Sequence, residues 1–410
     1  MPRLLVKEFG PIKNTNNTWI ESKKVTVFCG PQGSGKSTLV KLISEFSWLE
    51  KALNRGDFKD KEISTYDRFR KKYCSFHNIQ NYFHDDTVIH YEGDYYSFHY
   101  ENRKLTLSRN DSENFVRPQI VYIPAERNLL SALEGIEKVK KLPSSLSFLM
   151  NEYINALRSI DGSEKLPLDG GYEVVYDKLN KVASLKGKDF KVRISESASG
   201  FQSLVPVILV SRYLQKQISK ASVNQSRNQE SFAEAERRDS IIRAILNDKS
   251  LDDETRMSLI RQLSSNTRNG RLVNIVEELE QNLYPSSQRN VLYELLGINN
   301  QIELNTLYLT THSPYLINYL SVAMKAGALA DSCEEEEILH SIDDIVPRKA
   351  WLGSNDLNIY EINELGEISS LEMPYGVPSD ENYLNQALGS SNNDFEDLMV
   401  LEEECCHYSS

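Results

Sequence analysis

Short apolar runs recur along the chain, and polar or helix-patterned stretches separate them. Residues 25–29 form the first clear run, and similar runs lie at 120–123, 272–276 and 307–310. Apolar runs of this length that end at turn-forming residues predict buried strands. Behind the first run, the apolar residues that recur at helical spacing are Leu39, Val40, Leu42, Ile43 and Phe46. The pattern therefore predicts an α/β fold.

Two further regions depart from this alternation. Residues 87–107 alternate strand-forming aromatic and polar side chains around Glu92-Gly93-Asp94, which predicts an antiparallel hairpin or meander. An apolar helix is predicted from about residue 203 to 213, and its polar continuation runs to about residue 271. Apolar residues recur at helical spacing in this continuation without a sustained heptad, which predicts a projecting helical hairpin. The α/β fold thus carries an antiparallel β subdomain and an inserted α-helical subdomain.

The first apolar run leads into the segment Gly-Pro-Gln-Gly-Ser-Gly-Lys-Ser, which matches the pattern G-x-x-x-x-G-K-[ST]. Gly33 and Gly35 permit backbone conformations that point successive N–H groups at a polyphosphate. Lys36 supplies a charge for the β- and γ-phosphates, and Ser37 supplies an oxygen for Mg²⁺. The segment therefore predicts a nucleoside triphosphate site made by Gly30, Pro31, Gln32, Gly33, Ser34, Gly35, Lys36, Ser37 and Thr38.

Two acids and a histidine follow two of the other predicted strands. Glu277 and Glu278 directly follow the run 272–276, and His312 follows the run 307–310. The carboxyl ends of strands gather at one edge of an open α/β sheet, where ligands bind. In a P-loop ATPase one acid there holds Mg²⁺, the next polarises the attacking water, and a histidine can hydrogen-bond the γ-phosphate. Taken alone, each feature also fits a structural role.

A second candidate anion site lies at the start of the predicted apolar helix. Ser199 and Gly200 open this helix, and the free N–H groups of a helix N-terminus bind anions. Within one copy of the chain this site has no evident phosphate. Its presence is explained if it completes the nucleotide site of another subunit.

Several segments, in a fixed order, carry a family resemblance. They are Phe9-Gly10-Pro11-Ile12 before the glycine-rich segment, Ser199-Gly200-Phe201-Gln202, residues 277–285 and Thr311-His312-Ser313-Pro314. Together they resemble the ABC-type ATPases of the SMC, RecF and OLD (overcoming lysogenization defect) kind. More narrowly, they resemble the OLD-like AAA ATPases of prokaryotic anti-phage systems. The resemblance covers about residues 3–320 and implies an ABC-type P-loop ATPase head.

The resemblance also implies ATP and Mg²⁺ as cofactors and a role for each matching residue. Residues 30–38 would be the Walker A loop. The implied catalytic residues are Lys36, Glu278 and His312, the implied metal ligands are Ser37 and Glu277, and the implied signature residues, presented to ATP bound by a second protomer, are Ser199 and Gly200. ATP binding would clamp two heads together, and hydrolysis would release them.

Three departures from the family pattern bear on function. Glu277 stands where the Walker B strand usually has Asp, although the OLD-like branch commonly has two glutamates there. The glutamine loop has no clear counterpart, and Gln80 is a candidate for it. No segment after His312 fits the Toprim nuclease module of OLD nucleases, so we expect any nuclease partner to be a separate polypeptide.

We divide the chain into four predicted regions. Residues 1–128 form the N-terminal ATPase lobe with the Walker A loop and the β insertion, and residues 129–271 form the helical region with the signature motif and the polar insert. Residues 272–350 form the C-terminal ATPase lobe with Glu277 and His312, and residues 351–410 form a small hairpin and an acidic tail.

Composition and charge bear on nucleic-acid binding and on the expected cellular location. A net charge of -12 argues against a surface that is wholly a nucleic-acid footprint. The segment from Lys178 to Arg193 is rich in basic residues, and Asp189 is its one acidic residue. This patch fits either local phosphate contacts or a solvated strand pair. The sequence shows neither a membrane-length apolar run nor an apolar leader, so we expect a cytoplasmic protein with no membrane partner.

The sequence leaves two functions open. The first is an ATPase that forms composite sites in a homodimer or higher oligomer and acts as the sensor or scaffold of an anti-phage system. It would control a separate effector, a nuclease or another toxin. The second is a RecF- or SMC-like DNA-repair ATPase that binds duplex DNA. A P-loop GTPase or small-molecule kinase is disfavoured, because Asn180-Lys181-Val182-Ala183 lacks the Asp that guanine recognition requires.

Overall fold

The computed structural model describes residues 1–15, 18–110, 115–136, 139, 141–223, 232–265 and 269–408. The strands are β1 (Arg3–Phe9), β2 (Ile12–Asn14), β3 (Ile20–Glu21), β4 (Val25–Cys29), β5 (Phe83–Glu92), β6 (Tyr96–Glu101), β7 (Lys104–Arg109), β8 (Pro118–Ile123), β9 (Ser163–Lys165), β10 (Glu173–Asp177), β11 (Val182–Lys186), β12 (Lys191–Arg193), β13 (Arg271–Val276), β14 (Thr306–Thr311), β15 (Leu357–Ile362) and β16 (Ile368–Ser370).

The helices lie between and after runs of these strands along the chain. They are α1 (Lys36–Arg55), α2 (Asp60–Ile63), α3 (Leu129–Ala132), α4 (Ser144–Ser159), α5 (Ser199–Val223), α6 (Phe232–Asn247), α7 (Asp253–Ser265), α8 (Pro285–Asn299), α9 (Pro314–Asp331), α10 (Glu336–Ile345) and α11 (Tyr383–Tyr408). Within the described ranges, no helix is both long enough and apolar enough to cross a membrane.

The central sheet has the strand order β16-β15-β4-β14-β13-β8. The five strands from β15 to β8 run parallel, and β16 pairs antiparallel with β15. Strands β4, β8, β13 and β14 are buried along their whole length. They correspond to the four apolar runs of the sequence, so the predicted buried strands and the α/β fold class are confirmed.

Hydrophobic cores lie on both faces of the central sheet. One core combines side chains of β4, β8, β13 and β14 with apolar residues of α4, α5, α8 and α9. The other core combines the opposite faces of these strands with α1 and the antiparallel sheet. Alternate side chains of a strand point to opposite faces, so adjacent residues such as Val27 and Phe28 belong to different cores.

The antiparallel subdomain is a sheet with the strand order β2-β1-β5-β6-β7, in which β3 also pairs with β1. Strands β5, β6 and β7 are the meander that was predicted around Gly93. Aromatic packing fixes this sheet to α1, because Phe46 of that helix stacks on Tyr91 with ring centroids 5.0 Å apart and also contacts Phe98. A separate antiparallel sheet has the order β12-β11-β10-β9 and lies just before α5 in the sequence.

The prediction of a projecting helical hairpin after α5 is wrong for the described part of the insert. Helices α6 and α7 bury Ile242, Met257 and Ile260 in the core that also contains α1. Arg261 of α7 forms a buried ion pair with Glu45 of α1. These helices pack against the head because their few apolar residues share one face, and the charge of Arg261 is neutralised inside the protein.

The C-terminal part adds two strands to the central sheet and ends in a helix that is largely exposed. Strand β15 pairs with β4, so the hairpin predicted around Gly366 joins the central sheet beside the glycine-rich loop. Helix α11 begins against the head at Leu384, which is buried. Further along, residues 392–402 are exposed, including the apolar side chains of Phe395, Leu398 and Leu401.

Candidate nucleotide site

The glycine-rich loop connects β4 to α1, and two of its glycines are required by close contacts. Gly30 has φ 142°, and a Cβ atom there would lie 2.1 Å from the carbonyl oxygen of Ile362. Gly35 has φ 110°, and a Cβ atom there would lie 2.3 Å from Cδ1 of Ile12. Only glycine combines this backbone conformation with the missing side chain. The predicted strand, loop and helix are therefore present, with α1 starting at Lys36.

Lys36 lies over the loop from which it starts. Its Nζ donates to the carbonyl oxygens of Gly30 (2.9 Å) and Pro31 (2.7 Å), and lies 3.3 Å from Nδ1 of His312. Burial lowers the pKa of Lys36 to about 8, although the nearby charges of Glu278 and Glu280 oppose the shift. The ammonium is therefore held where a phosphate in the loop would meet it.

Glu277, at the carboxyl end of β13, provides a buried carboxylate. Its side chain is only 4% exposed, and its Oε1 atom has no hydrogen-bond partner among the described residues. Burial raises its pKa, while the charge of Lys41 and the hydroxyls of Tyr122 and Ser37 oppose that shift. An orphaned carboxylate oxygen beside a serine hydroxyl is a hard oxygen donor set, which fits Mg²⁺.

Glu278 turns away from the strand in a left-handed conformation with φ 43°. Its N–H donates to Oγ1 of the buried Thr310 at 3.0 Å. Its carboxylate is partly exposed, and Oε1 lies 3.7 Å from Nε2 of His312. A non-glycine residue in this region is strained, and such strain concentrates at functional sites.

His312 joins the loop to the acids. Its ring has Lys36 on the Nδ1 side and Glu278 on the Nε2 side. Burial and the positive charge of Lys36 lower its pKa, with Glu278 opposing, so the ring is neutral at physiological pH. The structure thus brings together the sequence-predicted residues Lys36, Glu278 and His312, with Glu277 and Ser37 forming the adjacent oxygen donor pair.

Two functional candidates at this edge escaped the sequence analysis. Glu280 accepts hydrogen bonds from the Thr311 hydroxyl (3.0 Å) and from the His312 N–H, so it fixes the backbone that carries the histidine. Burial raises the pKa of Glu280. Glu126, after β8, lies near enough for its charge to raise the pKa of Glu277. The available signals were the third acid of the run 277–280 and the polar turn after the apolar run 120–123.

The signature candidates occupy a separate position. Ser199, at the start of α5, is exposed. A Cβ atom on Gly200 would lie 2.7 Å from the carbonyl oxygen of Asn282, so the loop after the acids packs directly on this helix end. The amide of Asn282 also donates to Oγ of Ser203 at 3.1 Å. Gln80 lies in the turn before β5, where its carbonyl accepts from Arg70.

The strand order and the site together define a P-loop α/β protein. No protein-family model matches the chain, and no curated protein matches it. Solved structures that it resembles include the SMC head domain from Thermotoga maritima, with 12% identity, a TM-score of 0.37 and coverage of 90% of this chain and 98% of that one.

Two other similar structures are an SMC head and an ABC transporter subunit. The SMC head, bound to the C-winged helix domain of ScpA, has 10% identity, a TM-score of 0.40 and coverage of 91% and 98%. The ADP conformation of an ATP-binding cassette of an ABC transporter has 12% identity, a TM-score of 0.28 and coverage of 90% and 90%. At these identities the likeness concerns the fold alone.

Proposed function

We propose that this chain hydrolyses ATP to ADP and phosphate in a Mg²⁺-dependent reaction. The observation that carries the proposal is the position of His312, between Lys36 of the glycine-rich loop and Glu278 at the end of the neighbouring strand. Loop N–H groups and Lys36 would hold the β- and γ-phosphates. Ser37 and Glu277 would hold Mg²⁺, which when bound neutralises charge on the phosphate oxygens.

The remaining residues supply the chemistry of water attack. Glu278 is partly exposed and would orient a water molecule and accept its proton as the water oxygen bonds to the γ-phosphorus. The bond from the γ-phosphorus to the bridging oxygen then breaks, and ADP leaves with that oxygen. A neutral His312 can donate one hydrogen bond to the γ-phosphate, and Glu280 keeps its backbone in place.

Each ATP would be completed by a second copy of the chain. Ser199 and Gly200 lie at the exposed start of α5, a 25-residue helix whose positive end attracts anions. Among the described residues, no hydrogen bond or ion pair connects them to the loop of their own chain. A composite site between two copies would use both anion-binding ends, and a closed two-fold dimer is the default arrangement.

The test combines turnover with mass in solution. Glu278→Gln should bind ATP, lower turnover roughly 10²- to 10⁴-fold, and shift from monomer to dimer on addition of ATP and Mg²⁺ in light scattering after gel filtration. Lys36→Ala should lose ATP binding. Glu303→Gln is the matched control, because Glu303 is 87% exposed and pairs only with Lys24 in the described contacts. Normal turnover in Glu278→Gln would remove this residue from catalysis.

We further propose that this ATPase is the sensor or scaffold subunit of a cytoplasmic anti-phage system and controls a separate effector, a nuclease or another toxin. The order of the OLD-like motifs supports this role. Residues 350–410 contain no lysine or arginine but 13 aspartates and glutamates, and part of this segment is the exposed half of α11, which suits a basic partner. If a nuclease or toxin is encoded in a neighbouring open reading frame, phage protection should require both proteins and should disappear with Lys36→Ala.

A DNA-repair ATPase is the alternative that one feature favours. The strands β10, β11 and β12 and the turns between them expose the basic residues Lys178, Lys181, Lys186, Lys188, Lys191 and Arg193. Contacts of this kind with phosphates weaken steeply with salt. Glu278→Gln with ATP should then bind duplex DNA at 50 mM salt and release it at 200 mM. Failure to bind at low salt removes this alternative.

A further inference from the structure

The guanidinium of Arg127 donates all its described hydrogen bonds to backbone carbonyl oxygens. It follows β8 and is 1% exposed. Its Nε donates to the carbonyl oxygen of Ser203 at 3.1 Å, and its Nη1 donates to those of Pro124 at 3.3 Å and Glu277 at 2.5 Å. Its Nη2 donates to the carbonyl oxygen of Glu278 at 2.7 Å. One rigid guanidinium thus connects three separate segments of the chain.

Two of these segments belong to different halves of the proposed catalytic assembly. Ser203 lies in the first turns of α5, whose start would contact ATP on the partner copy. Glu277 and Glu278 would act on the ATP of their own copy. The guanidinium fork is planar and fixes its partners in direction as well as distance, so displacement of one segment pulls on the other.

The backbone of Glu278 is held from both sides. Its N–H donates to Oγ1 of Thr310, and its carbonyl accepts from Arg127 and from the N–H of Gln281. Between these contacts the residue has the strained φ of 43°. A strained residue keeps its conformation only while its neighbours enforce it. The position of the Glu278 carboxylate therefore depends on the hydrogen bond from Arg127 together with those at Thr310 and Gln281.

A second contact joins the same two segments. The amide of Asn282, in the loop after the acids, donates to Oγ of Ser203, and its carbonyl packs against Gly200. Motion at the start of α5 therefore reaches the loop 278–282 at two places, through Arg127 and through Asn282.

We propose that Arg127 is a positioning residue that couples the ATP sites of two protomers. When the start of α5 engages the partner's ATP, the guanidinium sets the backbone of Glu278 for hydrolysis in the same protomer. The coupling rests on the proposed ATPase function. It predicts that each protomer hydrolyses ATP efficiently only when its own signature helix is engaged.

Arg127→Lys keeps the positive charge and removes the fork. Because Arg127 has no described hydrogen bond to the glycine-rich loop, the Kd for ATP should stay within about threefold of the wild-type value. The kcat should fall about 10- to 100-fold, and the Hill coefficient of hydrolysis should fall towards 1. A wild-type kcat and Hill coefficient would overturn the proposal.

Arg261→Lys is the matched control for shortening a buried arginine. Arg261 is 5% exposed and pairs with Glu45. Its Cζ lies 4.1 Å from the ring centroid of Trp48 and 3.9 Å from that of Phe76, and it has no described hydrogen bond or ion pair with Glu277 or Glu278. It should lower stability and leave the Hill coefficient unchanged. If Arg127→Lys does not fold, Asn282→Ala tests the parallel contact. It should lower the Hill coefficient at unchanged ATP affinity, and an unchanged coefficient would overturn the proposal.

Hydrogen exchange separates failure of the coupling from failure of the ATPase assignment. Without nucleotide, Arg127→Lys should speed amide exchange in both 199–204 and 278–284 relative to Arg261→Lys. No increase in either segment would overturn the coupling even if wild-type protein hydrolyses ATP. Absence of wild-type hydrolysis would refute the proposed function, while this exchange comparison would still decide the role of Arg127.

Discussion

Lys36 should make ATP binding depend on pH around pH 8. Its side chain is almost fully buried, and its pKa is lowered to about 8. Burial disfavours the charged form of a lysine, so the free protein loses the ammonium as the pH rises through 8. Since the phosphates need that ammonium, ATP affinity should be highest below pH 8 and should fall above it.

The size of the effect follows from the titration. With a pKa of about 8, roughly 75% of Lys36 is charged at pH 7.5 and roughly 3% at pH 9.5. If only the charged form binds, the apparent Kd should rise about 25-fold over this interval, which is about 1.9 kcal/mol. Binding at pH 9 should also take up about 0.9 proton for each ATP bound.

Calorimetry of a nonhydrolysable ATP analogue with wild-type protein measures both quantities. Titrations from pH 7.5 to 9.5 avoid ionisation of the terminal phosphate, and two buffers of different ionisation enthalpy report proton uptake. Lys36→Arg is the control, because its guanidinium stays charged and its affinity should be flat with pH. A flat wild-type Kd without proton uptake would refute the assigned contact. Glu278→Gln should lower the pH at which ATP affinity begins to fall, because the charge of Glu278 raises the pKa of Lys36.

Two other substitutions test local packing. Gly200→Ala puts a Cβ atom 2.7 Å from the carbonyl oxygen of Asn282, so it should abolish ATP-dependent dimerisation in light scattering while ATP affinity changes less than about threefold. A wild-type dimer would contradict this reasoning. Burial raises the pKa of Glu50 to about 7, while the pKa in the unfolded chain is about 4.5. The free energy of unfolding should therefore fall as the pH rises from about 4.5 through 7, because the unfolded chain ionises this group more easily. By urea unfolding, Glu50→Gln should be up to about 3 kcal/mol more stable than wild type at pH 8 and within about 1 kcal/mol at pH 5. A difference independent of pH would show that the charge is not responsible.

The parts of the site that the sequence revealed are local in the chain. Residues 25–38 contain the strand, the glycine-rich loop and the beginning of the helix. The spacing of the residues in this segment is enough to identify the loop. Arg127 could not be found in this way. Its partners Ser203, Glu277 and Glu278 lie 76, 150 and 151 residues away, and only the tertiary fold brings them together.

The insert after α5 is a region where the composition of the sequence led to a wrong prediction. Its polar composition favours a solvated hairpin, because charged residues are rarely buried without a partner. Arg261 has that partner in Glu45, on a helix 216 residues earlier in the chain. A single sequence does not reveal such a pairing. Met257 and Ile260 then complete the buried face, and the helix packs on the head.

Strand order explains why the site is assembled as it is. The carboxyl ends of parallel strands meet at one edge, but the sequence does not say which strands are neighbours. In the structure β14 lies between β4 and β13. Two strand spacings, about 10 Å, therefore separate the end of the loop strand from the acids, which leaves room for a γ-phosphate and its attacking water. His312 directly follows the middle strand, β14, so the same strand order also places the histidine between the loop and the acids.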